Sequence, residues 1–368
     1  LFDVLRLPPV VINEETGSRS TGKDTLAEIE HLHPFVSLFR KYKTASRNYS
    51  QFLKEKDDEE GEAEGKLWQC DKIYPYWMMV KINTGRPQAY QPTVLNIPRD
   101  LRYRKLIAAP AGMVIVGADE SQIEPRLMAY FSRDASMLQA FAQDGDIHTW
   151  TARNLAKFLG SEKYEDLDPD KRKHYRTLAK PINLGYNYGS SADTCRQYVK
   201  TAFGIDWSLS QSEEFRAFYF STYPGVAKYH SYVRKFVYTN GYIESPLGIR
   251  WDLSPWVDSP MKWKQSEAGR IGINYPCQEI GAHFMCVGAL AAEELKPKSV
   301  FFTFHDAVYT YQWEDEAVKF ALQWEQLWKD RVKQLMPEFD VPFKVDVGIG
   351  KNLGELISIE NYKESMYV

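Results

Sequence analysis

The chain has 368 residues, of which 44% are apolar, and its formal net charge is −3. That length and apolar content are enough for a substantial buried core and for two or three domains or subdomains. The nearly balanced charge excludes a globally basic surface, so any nucleic-acid partner has to be bound by local basic patches.

The four cysteines show neither a CxxC pair nor the spacing of metal ligands. They are typical of reduced thiols in an intracellular protein rather than of a disulfide framework. No apolar run approaches the roughly 18 residues that a membrane span needs, so we expect no membrane association. The first residue is Leu1 rather than Met, and the sequence therefore leaves open a preceding segment.

From about residue 23 to 56 the pattern predicts a helix with one apolar stripe. The stripe comprises Leu38, Tyr42, Ala45, Tyr49 and Phe52. Arg47 lies off this stripe, on a face that is either solvated or in contact with phosphates. The following run KEKDDEEGEAEGK is acidic and poor in apolar residues, which predicts an exposed or disordered insertion at a boundary, with its acidic part at 55–64.

Residues 107–116 are strand-like, and a helix is predicted from Glu124 to about Phe141. Residues 146–240 are mainly helical, with breaks at Gly160, near Pro169, at Gly189 and at Pro224-Gly225. The segment SVFFTFHDAVYTY predicts a hairpin with His305-Asp306 at its tip. A helix at about 314–335 and a last strand, FKVDVGIG, complete an α+β block.

Two acidic residues stand at the ends of apolar strands. Asp119 follows the first long apolar run, and Asp306 lies at the predicted hairpin turn. Two carboxylates within a few ångströms of each other repel unless a cation lies between them, and Mg²⁺ prefers oxygen ligands. The pattern therefore favours a Mg²⁺ site for phosphate chemistry, with the alternative that each Asp only satisfies local turn donors.

The segment KRKHYRTLAKPINLGYNYG repeats functional side chains every four residues. Arg176, Lys180 and Leu184 would lie on one face of a helix at intervals of roughly 6 Å. Such a face can bind a nucleotide lengthwise, with the cations on the triphosphate and Tyr188 near the base. The alternative is an amphipathic helix with solvated cations, and Pro181 predicts a kink within it.

Together these segments resemble the polymerase region of family A (DNA polymerase I-like) DNA polymerases. DESQIE is similar to the first palm motif of the family, RTLAKPINLGYNYG to its finger-helix motif and FHDAV to its third motif. Further matches in the same order include LFDVLRLP, TGRPQAYQPTVLNIP, DGDIHTWTA, GYIESPLGIR, RIGINYPCQEIGAHF and VDVGIG. The resemblance covers nearly the whole chain.

The resemblance implies an α+β right-hand fold with an antiparallel-sheet palm and helical fingers and thumb. The expected division is thumb 1–70, palm 71–135 and 251–368, and fingers 136–250. It implies a monomeric, template-directed DNA polymerase that binds primer-template DNA and deoxynucleoside triphosphates in the cytoplasm of a bacterial cell or a phage-infected host. No exonuclease segment is visible within these residues, and one in a longer parent chain is left open.

The resemblance also assigns roles to individual residues. Asp119, Asp306 and the backbone carbonyl of Glu120 would ligate two Mg²⁺ ions, for which Mn²⁺ is expected to substitute. Lys180 would join the two Asp as a catalytic group that protonates the leaving pyrophosphate. The nucleotide-binding residues would be His148, Arg176, Lys180, Leu184, Tyr188, Gln122 and Glu124. The DNA-binding residues would be Arg86, Arg270, Asn274, Gln278, His305 and Arg47.

Glu124 resembles the sugar gate of the family, a carboxylate held by the Tyr that matches Tyr188 and occupying the space of a ribose 2′-hydroxyl. Three positions depart from the family pattern: Leu184 replaces an aromatic residue, Pro181 interrupts the finger helix, and Ala307 replaces the acid that follows Asp306. Because Asp306 itself is present, we expect activity to survive.

Two other functions are compatible with parts of the pattern. A single-subunit RNA polymerase shares the palm and the finger-helix Lys and Tyr, but it has no carboxylate gate matching Glu124. A catalytically silent template-primer binding protein is favoured only by Ala307 and Pro181. Primer extension with deoxynucleotides and ribonucleotides separates these functions.

Overall fold

The structure is a computed structural model that describes residues 1–13, 16–50, 74–79, 81–90, 93–98, 100–161 and 163–366. The chain divides into two compact units. The first unit comprises Leu1–Tyr76, Ala89–Asn96 and Arg196–Ser208, and the second comprises Trp77–Gln88, Ile97–Cys195 and Leu209–Val368. The acidic run at 55–64 and Cys70 lie outside the described residues. The division into thumb, palm and fingers stays a prediction.

The strands are β1 (Tyr76–Met78), β2 (Gln88–Tyr90), β3 (Met113–Glu120), β4 (Tyr242–Glu244), β5 (Arg250–Asp252), β6 (Val300–Phe304), β7 (Ala307–Trp313), β8 (Val345–Gly350) and β9 (Ile357–Ser358). The first α-helices are α1 (Lys23–Glu28), α2 (Pro34–Asn48), α3 (Leu101–Arg104), α4 (Ile123–Ser132), α5 (Ala135–Ala142), α6 (Ile147–Phe158) and α7 (Pro169–Asn187). The others are α8 (Ala192–Phe203), α9 (Leu209–Thr222), α10 (Pro224–Asn240), α11 (Ser254–Val257), α12 (Lys262–Leu295), α13 (Ala317–Leu335) and α14 (Ile359–Ser365). Short 3₁₀ helices lie at Glu30–Leu32, Val94–Asn96 and Tyr164–Asp166.

The second unit is built around a five-stranded antiparallel sheet with the order β6-β7-β3-β8-β9. Strand β3 is central, and its core positions Val114, Val116 and Ala118 are at most 1% exposed. Strands β6 and β7 form the predicted hairpin, with His305-Asp306 as a two-residue turn. A positive φ of 56° at His305 fits the tight turns that join antiparallel strands.

Helices α12 and α13 pack against each other and against strands of this sheet. The indole nitrogen of Trp324 donates to the backbone oxygen of Gly288 at 2.7 Å, and that of Trp328 donates to the oxygen of Phe284 at 2.9 Å. Both indoles are fully buried. Gly288 leaves the space that the Trp328 indole occupies, because a Cβ there would lie 2.1 Å from an indole carbon of Trp328.

Several predicted elements have different bounds in the structure. The predicted strand 107–116 was wrong in its limits: Gly112, with φ of 76°, turns the chain, and the strand runs from Met113 through Glu120. The predicted single helix 124–141 is two helices, because Arg133 takes a φ of 49° and Asp134 caps α5. Helix α12, with 34 residues, and the elements after β8 were not predicted.

The finger-helix segment is helical on both sides of Pro181, and the kink predicted there stays a prediction. Helix α7 runs without interruption for 19 residues across Pro181, so Arg176, Lys180 and Leu184 keep their helical spacing. Tyr188 immediately follows the helix as its C-cap residue. The breaks predicted at Gly160 and Gly189 are confirmed, since both have positive φ.

The first unit contains a small core of Leu7, Leu26, Ile29 and Val36. The predicted helix 23–56 is broken before Pro34, where His33 is extended and caps α2. The predicted apolar stripe is not buried: Leu38, Tyr42 and Tyr49 are all more than half exposed. None of the described helices is long and apolar enough to cross a membrane.

Candidate active site

Antiparallel pairing brings the two predicted metal-binding acids together. Asp119 of β3 pairs with Ala307 of β7, the residue next to Asp306, and the amide of Glu120 donates to the carbonyl of Asp306 at 3.2 Å. Directly paired residues in such a ladder have Cα atoms about 5 Å apart. The register therefore places both Asp residues at the same end of the sheet, in the same unit.

A third acid, Asp346, lies on the other side of Asp119. Strand β8 pairs Asp346 with Asp119, so their side chains share one face of the sheet. Burial, and then the charges of Asp306 and Asp346, raise the pKa of Asp119 to about 6. Its side chain still opens to a cleft of about 700 Å³, whose lining also includes Tyr309 and Leu356. A crowded, outward-facing set of carboxylates of this kind favours a cation.

Glu120 carries a further carboxylate into the interior. The residue is 4% exposed, and neither carboxylate oxygen has a hydrogen-bond partner among the described residues. Burial, followed by the charges of Asp306 and Asp119, raises its pKa well above the ordinary value. The protonated acid is thereby favoured, so the backbone carbonyl rather than the carboxylate remains the expected ligand at this position.

Arg86 joins the gate acid to the hairpin acid. Its Nη2 donates to Oε1 of Glu124 at 3.0 Å and to Oδ1 of Asp306 at 3.1 Å. All three side chains are partly buried, with 18–25% of each exposed. Charge-assisted bonds in such a setting are stronger than neutral ones. This connects three predicted site residues that are far apart in sequence.

The Tyr188 hydroxyl is buried beside Glu124. It does not meet ordinary hydrogen-bond geometry with any described residue, but a hydrogen-bond interaction with the Glu124 carboxylate contributes to its electrostatic environment. Burial, and then the nearby Cys277 and Glu124, raise the pKa of this hydroxyl well above its ordinary value. The Glu124 carboxylate thus accepts a hydrogen bond of ordinary geometry from Arg86, with the Tyr188 hydroxyl as a second neighbour beyond that geometry.

The predicted phosphate-binding residues lie along α6 and α7, which pack against each other. Arg176 donates from Nε to Asp146, the N-cap of α6, at 2.5 Å. Burial opposes the ionisation of Asp146, but the bonds from Arg176 and Thr149 lower its pKa. Lys180 is exposed on the same face of α7. Two cations therefore lie one helical turn apart, with one of them oriented by a carboxylate.

His148 is held in the neutral form. The ring is 7% exposed, and its Nδ1 faces the amide nitrogen of Asn183 at 3.0 Å. Burial lowers the pKa of His148 to about 4, and the cations Lys180 and Arg176 contribute in the same direction. Any contact of His148 with a phosphate near pH 7 is therefore that of a neutral N–H donor.

The remaining predicted residues lie in five places. Gln122 is the N-cap residue of α4, and its side-chain oxygen accepts from the amide of Ile147 at 3.1 Å, which connects the start of α4 to α6. The DNA-binding candidates Arg270, Asn274 and Gln278 follow one another at steps of four on α12 and share one of its faces. Leu184 is 37% exposed on α7. His305 packs its ring edge-on against Phe304, and Arg47 is exposed in the last turn of α2, in the first unit.

The donor set fits magnesium ions that share their ligands with a substrate. No group of three His, Cys, Asp or Glu side chains in the described part of the chain is arranged to hold a metal ion. Magnesium in proteins is commonly held by one or two carboxylates, with phosphates and water as the other ligands. Asp119, Asp306 and the carbonyl of Glu120 match that pattern.

Sequence reasoning missed three partners in this region: Asp346, Asp146 and Asn183. Asp346 was detectable, because it is a charge within the apolar run VDVGIG, a pattern typical of a strand with one face at a site. Asp146 stands before a helix, where an Asp usually indicates only a cap. No signal in the sequence pairs Asn183 with His148, since that contact depends on how α6 and α7 pack.

Comparison with known proteins identifies the family. The model of DNA polymerase family A matches residues 1–355. The chain is 30% identical over 359 residues to the thermostable DNA polymerase I of Thermus filiformis, covering 96% of this chain and 40% of that protein. It is 30% identical over 370 residues to DNA polymerase I of Pseudomonas aeruginosa, with 96% and 37% covered. The chain thus spans about two fifths of the length of these relatives.

The fold is similar to that of a solved structure, the POL domain of Pol1 from M. smegmatis in complex with DNA primer-template and dNTP. The TM-score is 0.78 at 25% sequence identity, and the match covers 96% of this chain and 59% of that one. The predicted α+β right-hand fold is confirmed by this similarity. From the family match over nearly its whole length, the chain belongs to DNA polymerase family A.

Proposed function

We propose that the chain is a template-directed DNA polymerase that adds deoxynucleotides to the 3′-hydroxyl of a primer. The observation that carries the proposal is the register that places Asp119 beside the Asp306 turn. In the same unit, α7 presents Arg176 and Lys180, and α12 presents a row of polar side chains. Primer-template DNA, deoxynucleoside triphosphates and two Mg²⁺ ions are the proposed partners.

The residues would have two kinds of role, metal binding and phosphate binding. Asp119, Asp306 and the Glu120 carbonyl would hold the Mg²⁺ ions. When bound, the two ions supply activation of the attacking hydroxyl and stabilisation of the charge on the leaving group. Arg176, oriented by the bond from its Nε to Asp146, would bind the phosphates, and Lys180 would donate a proton to the departing pyrophosphate.

Selection of the sugar would come from Glu124. Its carboxylate would fill the space that a ribose 2′-hydroxyl requires, and so favour deoxynucleotides. Minor-groove acceptors are common to all correct base pairs, so Arg270, Asn274 and Gln278 are suited to testing the shape of a pair without reading its sequence. Arg86 is held by two acids in this structure, and a role for it at the primer terminus stays a prediction.

A primer-extension assay with Mg²⁺ tests the proposal. Wild-type protein should extend a primer with deoxynucleotides and, far less readily, with ribonucleotides. Asp119→Ala should lower the extension rate at least about a thousandfold, the effect of losing several kcal/mol of charge stabilisation. Asp330→Ala, an exposed acid on α13, is the matched control and should keep the wild-type rate.

Each of the other outcomes would contradict the proposed function or the proposed role of the Asp pair. Equal extension with both nucleotide types would favour an RNA polymerase-like enzyme. DNA binding without extension under any divalent cation would indicate a silent binding protein. An Asp119→Ala variant that extends the primer at the wild-type rate would refute the proposed role of the Asp pair.

A further inference from the structure

The gate carboxylate is positioned by a residue outside the two motifs that supply the gate. Glu124 receives a 3.0 Å bond from Arg86, whereas the Tyr188 hydroxyl interacts with Glu124 from outside ordinary hydrogen-bond geometry. A glutamate side chain has three rotatable bonds, and a gate works only when its carboxylate stays in one place. The partner that restricts those rotations therefore decides how well the gate excludes a hydroxyl.

Arg86 is suited to hold that carboxylate. Its guanidinium is planar and permanently charged, so it directs a fixed set of donors at a carboxylate. The preceding Gly85 has a φ of 73°, a turn that carries the chain past His283 of α12. The Nε atom of Arg86 is buried and has no partner among the described residues. Arg86 therefore contacts Glu124 and Asp306 through its Nη2 atom.

One nitrogen of Arg86 bonds both acids. The same Nη2 that reaches Glu124 lies 3.1 Å from Asp306, so the gate is connected to the hairpin turn by a single side chain. A displacement of Asp306 would change the direction from which Nη2 approaches Glu124. Arg86 thus holds the Glu124 carboxylate in a defined position relative to Asp306 at the β6–β7 turn.

We propose that Arg86 is a positioning residue for sugar discrimination, holding the Glu124 carboxylate in the place that excludes a ribonucleotide. The inference rests on the proposed function, since it concerns how a polymerase distinguishes the two sugars. It ranks Arg86 above Tyr188: the loss of the guanidinium should release the gate to a greater extent than the loss of the phenol hydroxyl.

The experiment measures the selectivity ratio, the kcat/KM for a deoxynucleotide divided by that for the matching ribonucleotide, in single-nucleotide extension. Arg86→Met, which keeps side-chain length without charge, should lower the ratio about tenfold, equivalent to about 1.4 kcal/mol. Tyr188→Phe should leave the ratio within about twofold. Arg102→Met, at an exposed arginine paired with Asp100, controls for the loss of a charge.

A double-mutant cycle distinguishes positioning from a general structural role. In a Glu124→Ala background, Arg86→Met should change the ratio by less than about twofold, because the group that it positions is gone. If turnover of Arg86→Met is too slow to measure, the two nucleotides are compared by their affinity for the variant on a dideoxy-terminated primer-template. The same loss of preference is expected there.

The inference is overturned if Arg86→Met keeps the wild-type ratio or affinity preference, or if the effects of Arg86→Met and Glu124→Ala multiply in the double variant. A collapse of the ratio in Tyr188→Phe alone would assign the role to the tyrosine instead. A wild-type protein that extends no primer would refute the proposed function, a result distinct from extension with an unaltered ratio in the Arg86 variant.

Discussion

The contact between Gly288 and Trp328 makes a sharp prediction about the helices behind the sheet. In Gly288→Ala the new Cβ would lie 2.1, 2.3 and 2.4 Å from three indole carbons of Trp328. Carbon atoms pack at about 3.5–4.0 Å, so the ring would have to move by more than an ångström. That ring is fully buried and donates to the oxygen of Phe284 at 2.9 Å.

The magnitude follows from two opposing effects. Replacing Gly by Ala in a helix contributes up to about 1 kcal/mol of stability. Overpacking a core costs about 1–3 kcal/mol, and loss of the buried indole bond adds about 1–3 kcal/mol. We therefore expect Gly288→Ala to lower the free energy of unfolding by about 2 kcal/mol or more.

Gly281→Ala is the matched control in the same helix. Gly281 is also buried, but its added Cβ would meet Ile123 and Leu127 only at 3.9 Å, an ordinary contact distance. That variant should be as stable as wild type or up to about 1 kcal/mol more stable. Urea denaturation followed by tryptophan fluorescence and far-UV circular dichroism measures both. A Gly288→Ala protein as stable as Gly281→Ala would refute the packing argument.

Two further predictions concern buried polar groups. His148 and His230 both have pKa values lowered to about 4, chiefly by burial, so the folded state binds fewer protons than the unfolded state between pH 4 and 6.5. The contribution of these histidines to stability should therefore be lost as the pH drops through that window, whereas Asp119 and Glu120, whose pKa values are raised, contribute in the opposite direction. In urea denaturation the free energy of unfolding of His230→Gln should therefore rise relative to that of wild type between pH 6.5 and 4. Arg126, 2% exposed, donates to the carbonyls of Ser121 and Pro342. Arg126→Met should cost about 3 kcal/mol of unfolding free energy, and a variant of wild-type stability would contradict this.

The parts of the site that depend on local pattern were predictable from the sequence. Apolar runs on either side of His305-Asp306 predict a hairpin, because a two-residue turn can only join neighbouring antiparallel strands. Spacing by four along α7 predicts a shared face, and the helix keeps that spacing across Pro181. Both features come from interactions between residues close in sequence.

The partners of the side chains were not predictable in the same way. Arg86 lies 38 residues from Glu124 and 220 from Asp306, in a segment without regular structure that gives no periodic signal. The exposure of Leu38 and Tyr42 was likewise not predictable: a stripe at helical spacing identifies one face of the helix, but burial depends on what packs against it. Long-range contacts of both kinds are decided by the packing of whole elements.

The register around Asp119 changes the significance of Ala307. From the sequence alone, alanine at this position removes an acid beside the hairpin. In the sheet, however, Asp119 lies between Ala307 on one neighbouring strand and Asp346 on the other. An acid at 307 would add another like charge next to Asp119, whose pKa is already raised by burial and then by Asp306 and Asp346. The alanine therefore limits repulsion on one side of Asp119, while Asp346 retains a carboxylate on the opposite side.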